Sequence, residues 1–127
     1  AVRLIERAPD FDLHAAIGSG DRLDGMAGAD VVLDFTIPAV SPDVVAAALE
    51  HGIPALVGTS GWSADRLRAL QARVAERPDA GVVIVPNFAL GSVLATRFAA
   101  MAAPYFDSIE IIEAHHAGKI DSPSGTG

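Results

Sequence analysis

The residue types best suited to chemistry lie together in one polar stretch, residues 113–126. This stretch contains two adjacent histidines, His115 and His116, followed by Lys119 three residues later. Histidine exchanges protons near neutral pH, and lysine donates a proton or holds an anion as an ammonium group. Hydroxyl and backbone N–H groups suited to a carboxylate follow at Ser124, Gly125 and Thr126. The stretch predicts proton transfer beside an anionic ligand.

Strand geometry gives the two histidines different roles. If the preceding strand continues to residue 116, His115 and His116 lie on opposite faces and do not chelate one metal ion together. No acidic residue lies at a ligand-like spacing, so we expect no metal site. A polar loop with surface histidines is the alternative interpretation. Lys119, the only lysine of the chain, is equally compatible with a solvated side chain.

Three short loops that follow predicted buried strands form a second group of candidates. They contain Phe35 and Thr36, then Gly58, Thr59 and Ser60, and then Pro86, Asn87, Phe88 and Ala89. Ligands of a parallel α/β sheet bind at the carboxyl ends of its strands. Each loop alone is compatible with a plain turn, whereas three at successive strand ends favour a nucleotide site. The second loop lacks the Gly-Lys-Ser/Thr of a phosphate-binding P-loop.

A glycine turn at 18–20 is a weak match to the dinucleotide-binding fingerprint, because no third glycine and no helix follow at the right spacing. We interpret it as the turn after the second strand of a Rossmann domain, where the adenosine ribose lies. Only Asp21 and Arg22 are near enough to hold a ribose hydroxyl or a 2′-phosphate. The choice between NADH and NADPH therefore stays open.

The elements that must position these loops alternate between strands and helices. The predicted strands span 11–17, 31–35, 54–58, 82–85 and 108–114. The predicted helices span 41–50, 63–78 and 92–103, besides a helix end within 2–9. Ser41 and Ser63 are the expected N-caps, and Gly52 the expected stop of the first of these helices. Strands separated by helices imply parallel pairing, so the fold class is α/β.

Composition restricts the possible partners and compartments. Half of the residues are hydrophobic, which is ample for a buried core. The absence of cysteine excludes disulfides and thiolate chemistry and is compatible with a reducing cytoplasm. The net charge of −7 argues against a nucleic-acid or anionic-membrane surface, and no apolar run approaches the roughly 20 residues that span a bilayer. We expect a cytoplasmic protein that binds a small anionic ligand.

A change of pattern near residues 87–90 predicts a domain boundary. We assign 1–89 to a parallel, Rossmann-like nucleotide-binding domain and 90–127 to the beginning of a mixed α+β substrate domain. We expect further residues on both sides, because there is no initiator methionine, residue 1 falls within a predicted helix and residue 127 falls within a loop.

The stretch from Glu113 to Thr126 resembles the signature of the dihydrodipicolinate reductase family, E-x-H-H-x-x-K-x-D-x-P-S-G-T. The segments 34–36, 57–61 and 86–91 also resemble the cofactor loops of that family, in the same order. The resemblance covers nearly the whole chain, and the sequence as a whole is similar to those of actinobacterial members. It implies that the first strand and the Gly-rich turn of the nucleotide-binding domain are missing.

The resemblance implies a role for each matching residue. It makes His115 the catalytic proton donor and acceptor and Lys119 a second proton donor. It implies that His116, Gly125 and Thr126, beside Ser124, bind the substrate carboxylates. The implied contacts to NADH or NADPH are Phe35, Thr36, Gly58, Thr59, Ser60, Pro86, Asn87, Phe88 and Ala89.

The implied activity is the reduction of the dehydrated form of 4-hydroxy-tetrahydrodipicolinate to tetrahydrodipicolinate, in lysine and diaminopimelate biosynthesis. The family forms homotetramers through its substrate domain. A small dianionic substrate agrees with a cationic loop beside a nucleotide site. Two other interpretations stay open: another nicotinamide-dependent dehydrogenase with the same domain plan, and a non-catalytic fragment.

Overall fold

The computed structural model describes residues 1–85, 87–112 and 114. The chain divides into two compact units, 1–85 and 86–127, and each is considered by itself. The first unit contains α1 (Val2–Ile5), a 3₁₀ turn (Leu23–Met26), β1 (Val32–Asp34), α2 (Ser41–Glu50), β2 (Ala55–Val57), α3 (Ala64–Ala75) and β3 (Val82–Ile84). The described part of the second unit contains α4 (Leu90–Ala102) and a 3₁₀ turn (Ala103–Tyr105).

The three strands of the first unit pair in parallel in the order β1-β2-β3. Val32 lies opposite Ala55, which in turn lies opposite Val82. Helix α2 connects the first pair of strands and α3 connects the second. The predicted α/β class with a parallel, Rossmann-like sheet is therefore confirmed. The strands predicted over 31–35, 54–58 and 82–85 are confirmed with bounds shorter by at most one residue at each end.

The core of the first unit lies where α2 contacts β1 and β2. Val45, Ala48 and Leu49 of α2 are buried at the spacing of one helix face, and Val57 of β2 is fully buried. Complete burial of one such valine or leucine stabilises the fold by about 1.5–3 kcal/mol. This packing fixes the sheet whose carboxyl edge carries the loops after β1 and β2.

Two predicted helix signals are confirmed and one is wrong. Gly52, at a φ of +68°, follows the end of α2, and the Ser63 hydroxyl accepts a hydrogen bond from the backbone N–H of Arg66 at 3.4 Å. Ser41, however, is the first residue of α2 rather than its N-cap, a position that Val40 occupies. Its buried hydroxyl donates to the Asp34 carboxylate, a charge-assisted bond that is stronger than an ordinary cap.

The strand predicted over 11–17 is wrong. These residues have no regular secondary structure, although their apolar side chains alternate along the chain. A strand also needs a partner, and no described strand pairs with this segment. Instead, Ile17 packs against the core and His14 Nε2 lies 3.0 Å from the carbonyl oxygen of Ala27.

The described part of the second unit contains the predicted helix but not the predicted strand. The helix expected over 92–103 is confirmed with the bounds Leu90–Ala102. The strand expected over 108–114 is wrong for 108–112, which form no regular element. The described residues of this unit include no other strand with which that segment could pair. Among the residues that the structure describes, no helix is long and apolar enough to cross a membrane.

Candidate functional site

The loops after β1 and β2 begin side by side at the carboxyl edge of the sheet. Asp34 lies opposite Val57 in the parallel register, and the backbone N–H of Gly58 donates to the Asp34 carbonyl oxygen at 2.9 Å. The predicted cofactor residues in these loops are Phe35, Thr36, Gly58, Thr59 and Ser60. The structure therefore brings two of the three predicted loops together.

Asp34, the last residue of β1, organises both loops. It is 1% exposed, and its carboxylate accepts four hydrogen bonds. Thr36 donates its backbone N–H at 2.9 Å and its hydroxyl at 2.6 Å. Ser41 and Thr59 each donate a hydroxyl, the latter at 3.2 Å. These bonds compensate the cost of burying a charge.

Trp62, the only tryptophan of the chain, extends this arrangement. Its indole Nε1–H donates to the Ser41 hydroxyl oxygen at 3.2 Å, while Ser41 donates its own proton to Asp34. We call Asp34, Thr36, Ser41, Thr59 and Trp62 the Asp34 network. It links the end of β1, the start of α2 and the loop after β2.

A second set of contacts holds the same two loops at their far ends. The Arg66 guanidinium donates to the carbonyl oxygens of Pro38 and Gly61, at 2.8 and 2.9 Å. Gly61 has a φ of +85°, and a Cβ at this position would lie 2.6 Å from the Pro38 Cβ. Glycine is therefore required where the loop after β2 passes the loop after β1.

A cavity of about 410 Å³ lies within the first unit. Its volume is within the range of small-molecule sites. Most of its lining is apolar, and the polar side chains in it include Asp34, Thr36, Ser19 and His14. The cavity thus joins the loop after β1 to the turn at 18–20.

The turn at 18–20 is followed by the two residues considered for the cofactor ribose. Asp21 accepts a hydrogen bond from the backbone N–H of Gly18 at 2.8 Å. Arg22 forms an exposed ion pair with Asp24 at 2.5 Å. The hydrogen bond from Arg22 and its positive charge lower the pKa of the Asp24 carboxyl below its usual value. Both candidates therefore have local partners.

The third predicted loop begins the second unit, and Pro86 lies outside the described residues. The side-chain amide of Asn87 donates to the Ser92 hydroxyl at 2.6 Å and its oxygen accepts the N–H of Ala89 at 2.8 Å. Asn87 thereby orders the start of α4. Phe88 is 56% exposed.

The predicted catalytic and substrate-binding residues also lie outside the described residues. They are His115, His116, Lys119, Ser124, Gly125 and Thr126. Their roles remain predictions. Within the described ranges 1–85, 87–112 and 114, no group of three or more His, Cys, Asp or Glu side chains is arranged to hold a metal ion.

Sequence reasoning named Thr36 and Thr59 but missed the Asp34 network that holds them. A carboxylate within an otherwise apolar strand, with a threonine two residues later, was the available signal. Thr59, which donates a hydrogen bond to Asp34, lies 25 residues away in the sequence. Trp62 is connected to Asp34 only through its hydrogen bond to Ser41. Such non-local bonds leave no spacing pattern in the sequence.

Comparisons with known proteins match both parts of the chain to one family. The family model described as dihydrodipicolinate reductase, N-terminus, matches residues 1–88, and the model of its C-terminus matches 91–127. The 4-hydroxy-tetrahydrodipicolinate reductase of Clavibacter michiganensis is 54% identical over 124 residues, which are 98% of this chain and 45% of that protein. The enzyme of the same name from Streptomyces avermitilis is 48% identical and is aligned over 99% of this chain and 51% of its own length.

A solved structure has the same fold. The dipicolinate-bound dihydrodipicolinate reductase of Paenisporosarcina sp. TG-14 superimposes with a TM-score of 0.68 at 29% identity, covering 99% of this chain and 56% of that one. The chain thus spans about half the length of the curated relatives that it matches.

Proposed function

The chain belongs to the dihydrodipicolinate reductase family, and on that premise we propose that the whole protein reduces 4-hydroxy-tetrahydrodipicolinate to tetrahydrodipicolinate with NADH or NADPH. The observation that carries this proposal is the match of both family models, in order, over 1–88 and 91–127. We assign the reaction to lysine and diaminopimelate biosynthesis, as the family resemblance implies, and relatives named 4-hydroxy-tetrahydrodipicolinate reductase support this assignment.

The geometry of the first unit supports a nicotinamide cofactor. Two loops meet at the carboxyl edge of a parallel sheet, the place where such folds bind dinucleotides. Thr36 is exposed there, and the cavity beside it is lined by apolar side chains with a few polar groups. The proposed cofactor contacts in this unit are Phe35, Thr36, Gly58, Thr59 and Ser60. Because the Thr59 hydroxyl is buried, we assign the contact of that residue to its backbone.

The chemistry divides between cofactor and protein. When bound, the reduced nicotinamide supplies a hydride to a conjugated carbon of the substrate ring. Hydride addition gives an enamine, whose protonation finishes the reduction. We assign this protonation to His115 and Lys119, since both can donate a proton near neutral pH. We assign to His116, Ser124, Gly125 and Thr126 the binding of the two substrate carboxylates. The Paenisporosarcina relative is bound to dipicolinate, a ring that also carries two carboxylates.

The test is turnover of the whole protein, followed by the loss of NADH or NADPH absorbance after addition of 4-hydroxy-tetrahydrodipicolinate. We expect His115→Ala and Lys119→Ala each to lower kcat by about 10²–10⁴-fold, the usual contribution of a general acid or base. His51→Ala is the matched control, because His51 is an exposed residue just after α2. Normal turnover in both of the first two variants would contradict the assigned roles. Activity only on an unrelated aldehyde would favour another dehydrogenase. No turnover on any substrate would favour a non-catalytic chain.

We also propose that the domain boundary lies between Ala89 and Leu90, where α4 begins. The family models end at 88 and start at 91, and the two compact units of the chain meet between 85 and 86. Limited proteolysis of the whole protein tests this proposal. First cleavage within 85–91 is expected, and first cleavage inside α2 or α3 would contradict it.

The finer properties follow the family. We propose a cytoplasmic homotetramer that uses either NADH or NADPH. Sedimentation of the whole protein tests the assembly, and a monomer at enzyme-assay concentration would contradict it. Titration with each cofactor determines which one the protein prefers, and no binding of either would contradict the cofactor assignment.

A further inference from the structure

We propose that Asp34 is a positioning residue that accepts the hydrogen bond donated by the Thr36 hydroxyl. The oxygen of that hydroxyl then offers the cofactor only hydrogen-bond acceptors. This inference rests on the proposed function, since it concerns the cofactor site of that enzyme. It assigns Thr36 a ligand group that carries an N–H or O–H proton, such as the nicotinamide carboxamide or a ribose hydroxyl. It excludes a phosphate as the partner of this hydroxyl.

The first step is the hydrogen-bond capacity of Asp34. A carboxylate has acceptor sites only, whereas a hydroxyl has one proton and two lone pairs. Asp34 is buried, and no cation among the described residues pairs with it. Within the part of the chain that the structure describes, only N–H and O–H donors compensate its charge. Each hydroxyl in the network must therefore direct its proton to Asp34.

The second step is to ask which hydroxyl can reach a ligand. Ser41 is 0% exposed and accepts the indole N–H of Trp62, so a ligand cannot reach its hydroxyl. Thr59 is 5% exposed. Thr36 is exposed and lines the 410 Å³ cavity. Of these three hydroxyls, only that of Thr36 is open to a ligand.

The third step fixes the polarity of that contact. The Thr36 hydroxyl lies 2.6 Å from Asp34 Oδ1, and the Thr36 backbone N–H bonds to the same oxygen at 2.9 Å. This double contact holds the threonine in one orientation and leaves its oxygen with lone pairs only. A phosphodiester has no proton to share, so its oxygens would face those lone pairs without a hydrogen bond. An amide or a sugar hydroxyl would donate to them.

The binding test uses NADH and the reduced 3-acetylpyridine analogue, in which a methyl ketone replaces the carboxamide and removes its N–H donors. We expect Thr36→Val to weaken NADH binding to the whole protein roughly tenfold in calorimetry, the effect of one lost hydrogen bond. Thr36→Ser should recover most of the affinity. Thr96→Val, at an exposed threonine of α4, is the matched control and should leave affinity unchanged.

Comparing NADH with the analogue shows whether the carboxamide or a ribose hydroxyl donates the hydrogen bond to Thr36. If Thr36→Val weakens NADH but not the analogue, the carboxamide donates to Thr36. If it weakens both equally, a ribose hydroxyl is the donor, and the proposal also stands. Unchanged affinity for both would overturn it.

Asp34→Asn tests the origin of the polarity, because the new amide N–H₂ can donate where the carboxylate only accepted. We expect this variant to lose roughly tenfold in NADH affinity. A folded Asp34→Asn protein with unchanged NADH affinity would overturn the role of Asp34.

A measurement without cofactor keeps the proposal testable if that variant does not fold. In the unmodified protein, the solvent-exchange rate of the Thr36 hydroxyl proton should be roughly tenfold lower than that of the Thr96 hydroxyl proton, because the Thr36 proton is held in a hydrogen bond. Equal exchange would overturn the proposal. Slow exchange together with no NADH or NADPH binding would instead contradict the proposed function and leave the network intact.

Discussion

The two units of the molecule bury their apolar residues very differently. In the first unit, the buried hydrophobic residues lie between Met26 and Ala80 and surround α2 and the sheet. In the described part of the second unit, large apolar side chains are exposed, among them Phe98 at 61%, Met101 at 65% and Ile112 at 90%. Helix α4 has no buried residue.

This difference indicates which part of the described chain contributes most to its stability. Two of the three proposed cofactor loops, those after β1 and β2, stand on a packed core, and the buried Asp34 network adds directional bonds to it. The proposed catalytic residues belong to the other unit, whose helix α4 has no buried residue in the part of the protein that the structure describes. Substitutions of buried residues in the first unit should therefore change the free energy of unfolding, whereas those in α4 should hardly change it.

The largest expected effect is at Gly61. Gly61→Ala combines a positive φ, which costs about 1–2 kcal/mol for a residue with a Cβ, with a clash against Pro38. Overpacking costs about 1–3 kcal/mol more. Urea unfolding of the chain should show a loss of about 3 kcal/mol.

Gly20 is the matched control for this clash. It has a φ of +95° but no atom within 4 Å of a built Cβ. Gly20→Ala should therefore lose only the conformational part, about 1–2 kcal/mol. Equal losses at both glycines would contradict a steric role for Pro38.

The next largest effect is the removal of buried volume from β2. Val57→Ala empties a fully buried position and should destabilise the chain by about 2–3 kcal/mol in urea unfolding. Phe98→Ala removes a larger side chain from α4, yet it should change stability by less than about 0.5 kcal/mol, because Phe98 is exposed. A comparable loss at Phe98 would show that α4 is packed in solution and would break the contrast between the units.

A smaller effect of the opposite sign is expected at Gly91, in the first turn of α4. No atom lies within 4 Å of a Cβ built there. Alanine has the higher helix propensity, so Gly91→Ala should stabilise α4 by about 0.5 kcal/mol. Amide hydrogen exchange should slow about twofold within α4 and stay unchanged in β2. Slower exchange in both would indicate that the two units unfold together.

The sequence predicted the part of the fold that depends on local pattern. The apolar runs over 31–35, 54–58 and 82–85 gave all three paired strands, because a short continuous apolar segment is typical of a strand covered on both faces. The strand expected over 11–17 and the described part, 108–112, of the strand expected over 108–114 are both wrong for a common reason. Pairing requires a partner edge, and local alternation contains no information about the partner.

The site divides in the same way. Local motifs identified Thr36 and the loop 58–61, while the residue that unites them, Asp34, was recognised only as part of a motif. Its burial depends on Ser41 and Thr59, which are brought to it by the packing of α2 and β2. The role of His115 and Lys119 remains a prediction from their motif.

The smallest effect is expected at the exposed ion pair of Arg22 and Asp24, which tests whether charge or burial holds the first unit. The pKa of Asp24 is lowered, so the pair stabilises the folded state above the unfolded pKa and loses this contribution as the pH falls through the folded pKa. The two side chains are 88% and 64% exposed, so solvent screens the attraction strongly. Arg22→Ala should return the pKa of Asp24 towards its usual value in an NMR titration, with no measurable shift of the urea midpoint at neutral pH. Arg68→Ala, which removes the exposed partner of Asp65, should likewise leave the urea midpoint unshifted at neutral pH. If either substitution cost as much as Val57→Ala, surface charge rather than burial would hold the first unit, and the contrast with α4 would need another explanation.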